Sequence, residues 1–228
     1  SSKEIRTICG MSRALPPVTQ TPSVAGMPRV SFLLPYRDAE GSLDEAIESV
    51  CAQRADLCGF ELVLVDDAST DRSREIARAW QERDPRVHSI VGPGAGLVSA
   101  LNAGLERCQG EWIARMDADD LALPRPLEKQ MELVSQDTRV DVVDGCVEFF
   151  ARDARGNEEA VPEGMRRYAQ WVNRIVEPED FAKLRFRESC VVHPAATLRA
   201  ARLRELGAYR DDGPEDFELW LRMHENGF

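Results

Sequence analysis

Long apolar runs are missing from this 228-residue chain. The longest, such as Leu62 to Val65, hold only a few residues, where a membrane-spanning helix needs roughly 20. Basic residues are in deficit: 29 Lys and Arg against 40 Asp and Glu leave a net charge of −11. A nucleic-acid binder normally carries a basic face, and an anionic membrane surface attracts basic segments, so both kinds of partner are disfavoured. The six cysteines (Cys9, Cys51, Cys58, Cys108, Cys146 and Cys190) are scattered, with no Cys-x-x-Cys pair and no His at metal-ligand spacing. That argues against a zinc site or a disulfide scaffold and for reduced thiols in a cytosolic protein. Ser1 to Gly26 has no continuous apolar stretch of the kind a signal peptide needs. Internal repeats and low-complexity tracts are absent too.

What is present is the make-up of a soluble globular protein, 43% hydrophobic and 30% charged, long enough for one large or two small domains with a real core. The first segment, rich in Pro, Thr and Ser and without periodicity, reads as a disordered leader, with Met27 as a start of the folded part. From Arg29 the pattern becomes regular. Val30 to Leu34 is a buried strand closed by Pro35, and Ser42-Leu43-Asp44-Glu45 is a capping box ahead of a helix carrying Leu43, Ala46, Ile47, Val50 and Cys51. Glu61 to Val65 is a second strand ending in Asp66-Asp67, and Asp71 caps the next helix. A weaker strand over Val87 to Val91 precedes a helix with Leu97, Ala100, Leu101, Gly104, Leu105 and Cys108 on one face. Trp112 to Met116 is a strand ending in Asp117-Ala118-Asp119-Asp120, followed by a helix over Pro124 to Gln136 and strand-like Val140 to Val143 and Val147 to Phe150. Asp153 to Glu159 is a polar hairpin or connector, and from Tyr168 the chain is helical and irregular, with Trp171, Phe181, Phe186 and Trp220 as packing anchors. Strands alternating with helices imply parallel pairing with helices on both faces. Ligands of such sheets bind beyond the carboxyl ends of the strands, where the two acidic strand ends converge.

Each chemical signal has a plainer alternative. Asp117 and Asp119, one residue apart on a turn leaving the sheet, suit a hard divalent cation such as Mg2+ or Mn2+ that keeps positions for phosphate oxygens; the alternative is a solvated turn. Of Asp66 and Asp67, the first fits turn chemistry and the second contact with a base or ribose. Gly92-Pro93-Gly94-Ala95-Gly96 falls short of a dinucleotide fingerprint, because Leu97 stands where the third Gly belongs. It reads as a loop that approaches a ligand or as a helix-entry turn. Glu215 and Asp216 precede Phe217, Trp220 and Leu221 on one helical face, so Asp216 lies in a first turn that favours an ionised carboxylate. That form suits a general base for a hydroxyl, and equally a residue that only stabilises its helix. His193, before Pro194, is a structural histidine by default, with a place near phosphate or acceptor as the other reading.

With those residues placed, the chain resembles the family 2 glycosyltransferases of the GT-A fold, an α/β architecture with a Rossmann-like, mostly parallel sheet and a smaller helical acceptor-side region. Four blocks carry the resemblance in order and spacing: Val30 to Asp38 (VSFLLPYRD), Glu61 to Asp71 (ELVLVDDASTD), Gly96 to Asp120 and Glu215 to Arg222 (EDFELWLR). The resemblance implies inverting transfer of a sugar from a nucleotide-sugar, a UDP-sugar foremost, to a hydroxyl on a sugar, lipid-linked sugar or protein in cell-surface polysaccharide or glycan synthesis. It implies a cytoplasmic enzyme, with a peripheral position at the inner face of the membrane compatible with it. It places Pro35, Tyr36, Arg37, Asp38, Asp67, Gly96 and Asp117 at the nucleotide-sugar, Asp119 with Asp117 on Mn2+ or Mg2+, Asp216 as the base, and Glu215 and His193 on the acceptor side. The segments then fall as a leader over 1–28, a nucleotide-sugar-binding half over 29–150 and an acceptor-side region over 151–228, truncated at its C-terminus. Two departures stand out: Pro35-Tyr36-Arg37-Asp38 puts a cation where the family has an aromatic and Asp where it has Asn, and the chain stops soon after the Glu215–Asp216 helix. A catalytically silent sugar-nucleotide-binding module is one alternative. A sugar-nucleotide nucleotidyltransferase is another, disfavoured because no Gly-rich loop with Arg and Lys follows the first strand.

Overall fold

Alternate residues of the two most apolar strands go to opposite cores. Phe32, Leu34, Leu62 and Leu64 pack with Ile47, Trp80, Leu127 and Met131, while Leu33, Val63, Val65 and Ile113 pack with Leu101, Leu105, Leu219, Trp220 and Met223. Burial on both faces is why these strands read as unbroken apolar runs. The computed structural model describes residues 3–8, 30–53, 59–123, 126–137, 139–152 and 158–227. In chain order they form β1 (Lys3–Ile8), β2 (Val30–Tyr36), α1 (Leu43–Cys51), β3 (Phe60–Asp66), α2 (Ser73–Arg83), β4 (Val87–Val91) and α3 (Leu97–Arg107). There follow β5 (Trp112–Arg115), β6 (Leu121–Ala122), α4 (Pro126–Gln136), β7 (Val142–Val143), β8 (Cys146–Arg152) and β9 (Glu158–Glu159). The last part holds α5 (Glu163–Val172), α6 (Pro178–Leu184), a 3-10 turn (His193–Ala195), β10 (Thr197–Arg199), α7 (Ala200–Glu205) and α8 (Glu215–Glu225).

The main sheet has the order β4-β3-β2-β5-β10-β7. Its first four strands are parallel, as the alternation predicts, and β10 runs antiparallel between β5 and β7. A second sheet has the order β6-β1-β8-β9. Lys3–Ile8, inside the stretch read as a disordered leader, supplies β1 by pairing antiparallel with β8 and parallel with β6. A strand beside an open sheet edge is satisfied by any extended segment, which composition alone does not reveal. Residues 9–29, with Cys9, and Cys58 lie outside the described residues, while Cys51, Cys108 and Cys190 are free thiols. Of the polar connector, residues 153–157 lie outside the described residues, and Glu158–Glu159 forms β9, antiparallel to β8 with Ala151 opposite Glu159.

Several local expectations are corrected. Pro35 does not close β2 but lies within it, opposite Val65. Val30 donates to Gly59 on the β3 side, so odd-numbered residues face β5, whose pairing stops at Leu33–Arg115; the missing Pro35 N–H therefore has no ladder partner to lose. The capping box does not form: Ser42 stands at the N-cap without a side-chain bond, and Glu45 pairs instead with Arg152 of β8 at 2.7 Å. Asp71 does serve the start of α2, accepting the Ser73 N–H at 3.0 Å. Leu97 is largely exposed, and Phe186, expected to be an anchor, is 70% exposed with Arg185 over its ring. In α8 the buried stripe is Leu219, Trp220 and Met223, with Phe217 and Leu221 half-buried.

Close packing under the sheet fixes α3 and α8. A Cβ on Gly104 would lie 2.2 Å from Leu33 Cδ1 and 2.7 Å from Val65 Cγ2, so α3 lies nearer β2 and β3 than any side chain there would allow. Arg222 is a buried cation on α8 that donates to Glu218 at 2.8 and 2.7 Å and to the carbonyls of Leu206 and Ala208 at 2.6 and 2.8 Å. Truncation leaves a half-buried carboxylate and two carbonyls without their donor. Arg222→Ala is therefore expected to destabilise the protein by about 3 kcal/mol, read from denaturant unfolding; a loss below about 1 kcal/mol, the value of an exposed pair, would refute the clamp.

Candidate functional site

Strands β2, β3 and β5 are parallel, so their carboxyl ends open on one edge. At the end of β3, Asp66 accepts the Ser69 N–H at 3.0 Å and pairs with Arg74. Burial opposes ionisation there, yet the Ser69 and Arg74 bonds hold its carboxyl below the usual range. Asp66 thus has the turn role expected of it. Asp67 differs: it is 5% exposed, its N–H donates to Tyr36 O, and its Oδ2 accepts the Gly96 N–H at 3.1 Å. Its Oδ1 is buried with no hydrogen-bond partner, which leaves one acceptor oxygen at a strand end.

Arg37 stands over this carboxylate, its Nη1 4.0 Å from Asp67 Oδ2 and its Nε 3.9 Å from Asp38 Oδ2. The Tyr36 ring, 3% exposed, belongs to the core, where burial pushes its hydroxyl up to about 12. Asp38, at φ 49°, accepts from the Thr70 N–H and hydroxyl at 2.7 and 3.1 Å. Its own N–H donates to Ser69 Oγ. Further bonds from Ala39 to Ser73 and from Glu40 to Asp71 join the loops after β2 and β3. Asp38 thus latches the two loops, and Arg37 is the side chain left facing out. The glycine-rich loop leads into α3, with Gly94 at φ 70° and Gly96 at φ 99°; the Gly96 backbone, which a side chain would strain, aims its N–H at Asp67.

At the end of β5, Asp117 pairs with Arg115, a cation 5% exposed beneath the turn. Asp119 is exposed as a residue, but desolvation of its carboxyl by surrounding protein, and then the charge on Asp117, raise its pKa. The second cause places the two carboxylates within electrostatic reach of each other. Asp120 is buried, with its N–H toward Asp117 O at 3.3 Å.

On the opposite wall the N-terminus of α8 presents Glu215 and Asp216. Asp216 Oδ1 accepts the Phe217 N–H at 2.7 Å. Glu215 Oε1 lies 3.7 Å from His193 Nδ1, and the His193 interaction holds the Glu215 carboxyl below its usual range. His193 is 3% exposed; burial first, and then the charge of Arg115, lower its pKa, against the carboxylates of Glu215, Asp117 and Asp216. The DxD strand end and the Glu215–Asp216 helix therefore act on one imidazole.

Asp144, between β7 and β8, accepts the Gly145 and Val192 N–H groups at 2.8 and 3.4 Å. Burial pushes its pKa up to about 7. The folded protein then holds a proton that the unfolded chain releases near pH 4, so stability falls as pH rises from about 4 to 7 and levels off above. Asp144→Asn is expected to recover of the order of 2 kcal/mol at about pH 8 and nothing near pH 4, measured as unfolding midpoints across pH; a pH-independent difference would refute it.

Sequence reasoning missed Arg115, Asn102, Tyr209 and Asp144. A lone Arg ending an apolar strand was the available signal for Arg115; the other three become visible only through contacts distant in sequence. Among the described residues no group of three or more His, Cys, Asp or Glu is arranged to hold a metal ion. Two strand-end carboxylates, one of them shared with Arg115, do not fit a closed protein cage; they do fit a hard cation that takes its remaining oxygens from a diphosphate. Among the described residues no helix is long and apolar enough to cross a membrane.

Comparison with known proteins agrees with this arrangement. EpsE of Bacillus subtilis (strain 168) is 33% identical over 208 residues, 88% of this chain and 68% of EpsE. The amylovoran biosynthesis glycosyltransferase AmsE of Erwinia amylovora is 33% identical over 190 residues, 82% of this chain and 65% of AmsE. The mannosyltransferase PcManGT from Pyrobaculum calidifontis, solved in complex with GDP-Man and Mn2+, matches with a TM-score of 0.58 at 22% identity, over 88% of this chain and 53% of that one. The chain thus spans about two thirds of the length of these relatives and about half of the solved mannosyltransferase. The fold is the GT-A fold, a mostly parallel sheet flanked by helices with a smaller helical region. The sequence model of glycosyl transferase family 2 matches residues 31–207, from β2 to just past α7, and so encloses both acidic strand ends: this chain is a member of that family.

Proposed function

We propose that this chain carries the donor site and the base of an inverting, metal-dependent glycosyltransferase that moves a sugar from a nucleoside-diphosphate sugar to an acceptor hydroxyl in polysaccharide or glycan synthesis. The observation that carries the reading is the meeting of Arg115 and Asp117 from one side, and Glu215 and Asp216 from the other, around His193. In this reading residues 29–150 bind the donor and 151–228 face the acceptor. Asp67 Oδ1 accepts from the base, with Arg37 beside it. Asp119, with Asp117, would hold Mn2+ or Mg2+, which when bound supplies positive charge to the leaving diphosphate. Asp216 takes the proton of the acceptor hydroxyl as its oxygen bonds to the anomeric carbon. The bond from that carbon to the diphosphate oxygen breaks on the far side, and configuration inverts. AmsE, by its name a polysaccharide-pathway relative, supports the acceptor class.

The test is thermal unfolding with UDP, GDP, dTDP and CDP, each with and without Mn2+, since a ligand of the native state raises its stability by mass action. A Mn2+-dependent rise with one diphosphate, UDP being the first expected, supports the reading. No rise with any of them overturns it. Binding without sugar release from any donor would identify a silent binding module instead.

A further inference from the structure

His193 is a buried polar side chain that the proposed chemistry leaves without a task. Its Nε2 lies 3.2 Å from the Tyr209 hydroxyl, and its ring meets Trp220 of α8 edge-on at 5.6 Å. Its Nδ1 is buried, has no hydrogen-bond partner, and faces Glu215 Oε1 at 3.7 Å. Tyr209 is held in turn by one side chain of α3: its N–H donates to Asn102 Oδ1 at 3.0 Å, and its carbonyl accepts from Asn102 Nδ2 at 2.9 Å. The turn before it takes left-handed φ angles at Gly207 (84°) and Ala208 (60°), so Tyr209 is held on both sides. Helix α3 begins at Gly96, whose N–H caps Asp67.

We propose that His193 is a positioning residue: through Tyr209 and Asn102 it ties the first turn of α8, and with it Asp216, to the helix that contacts the donor-side Asp67. The inference rests on the glycosyltransferase reading for its functional consequence, though not for the tether itself. In the tautomer that the tether requires, the Tyr209 hydroxyl donates to Nε2 and the ring proton on Nδ1 points at Glu215; hydrogen bonds of this kind are often long before substrate arrives and tighten afterwards. Glu215 is thereby committed to His193, and its neighbour Asp216 is presented from a fixed turn. A general base must lie within hydrogen-bond reach of its proton, and a displacement of about 1 Å can cost up to about 100-fold in rate.

The experiment compares His193→Phe, which keeps an aromatic ring against Trp220 but has no nitrogen, with His193→Gln, which restores a polar partner, and Tyr209→Phe, which removes one oxygen. Sugar release from UDP-glucose and GDP-mannose with Mn2+ gives kcat and donor KM. Amide exchange at Glu218, whose N–H donates to Pro214 O at 3.0 Å, reports the first turn of α8. The expected result is a kcat at least about 10-fold lower in His193→Phe with donor KM unchanged, faster exchange at Glu218, and recovery of most of both in His193→Gln. If His193→Phe does not fold, Tyr209→Phe carries the test, with the same two changes expected in smaller measure. Wild-type kcat and exchange in His193→Phe, or His193→Gln as impaired as His193→Phe, would overturn the proposal. Should the wild type release no sugar from either donor, the glycosyltransferase reading is what suffers. The exchange arm still decides the tether, which falls if exchange at Glu218 is unchanged in both His193→Phe and Tyr209→Phe.

Discussion

Asp216→Asn is expected to bind the donor nucleotide as the wild type does and to transfer sugar about 100- to 10,000-fold more slowly, the range for loss of a general base. The amide keeps the shape of the carboxylate and an oxygen for the Phe217 N–H, which Asp216 Oδ1 now accepts at 2.7 Å. It cannot take up the acceptor proton. Glu215, next in sequence, is no substitute, because its carboxylate faces His193 at 3.7 Å and is held in its ionised form there. Asp216 lies in the first turn of α8, the end of a helix where the dipole favours negative charge. Donor affinity from Mn2+-dependent thermal shift, set beside a transfer assay, checks both halves. Full transfer by the Asn variant would move the base to another group.

Asp119→Ala is expected to abolish the Mn2+-dependent part of nucleotide binding while leaving the fold intact. The residue is exposed, so little packing is lost. Asp117 alone cannot compensate, since it is already shared with the buried Arg115. With Asp117 and Asp119 as its protein ligands, the cation depends on the diphosphate for its remaining oxygens, so Mn2+ without nucleotide should bind weakly even to the wild type. Titration of Mn2+ with and without UDP, in wild type and variant, reads both statements. Equal Mn2+ dependence in the two proteins would remove the metal assignment.

Much of this was legible in the sequence because the parallel half is built from local rules. β4 falls at Val87–Val91 as expected, β3 ends at Asp66 and β5 at Arg115, two residues ahead of Asp117, since apolar runs buried on both faces stop where the chain turns polar. Asp66, expected to serve the turn, accepts the Ser69 N–H, while Asp67 keeps an Oδ1 without a partner. What was hidden depended on partners remote in sequence. Ser42 and Glu45 have the spacing of a capping box, but Arg152, more than a hundred residues on, takes the glutamate. Phe186 is aromatic and lies among helices, yet no packed face receives it. Tyr36, one residue from the exposed Arg37, turns inward because β2 is buried on both sides, and no local signal separates the two. β1 pairs with a strand well over a hundred residues away, so its own six residues carry no trace of it.

The strand order has a mechanical consequence. β10, from the part of the chain after Phe150, runs between β5 and β7, which precede it, pairing Thr197 with both Ala114 and Val143. Cutting the chain after Phe150 would therefore not release a finished donor module. It would strip a neighbour from β5 and expose Trp112 and Ile113, at 1% and 0% exposure in the whole chain, along an unpaired and adhesive strand border. The two parts of the chain are interleaved as one fabric, and the β5 edge acquires its last structural support only after the chain has run on past Phe150 and returned as β10.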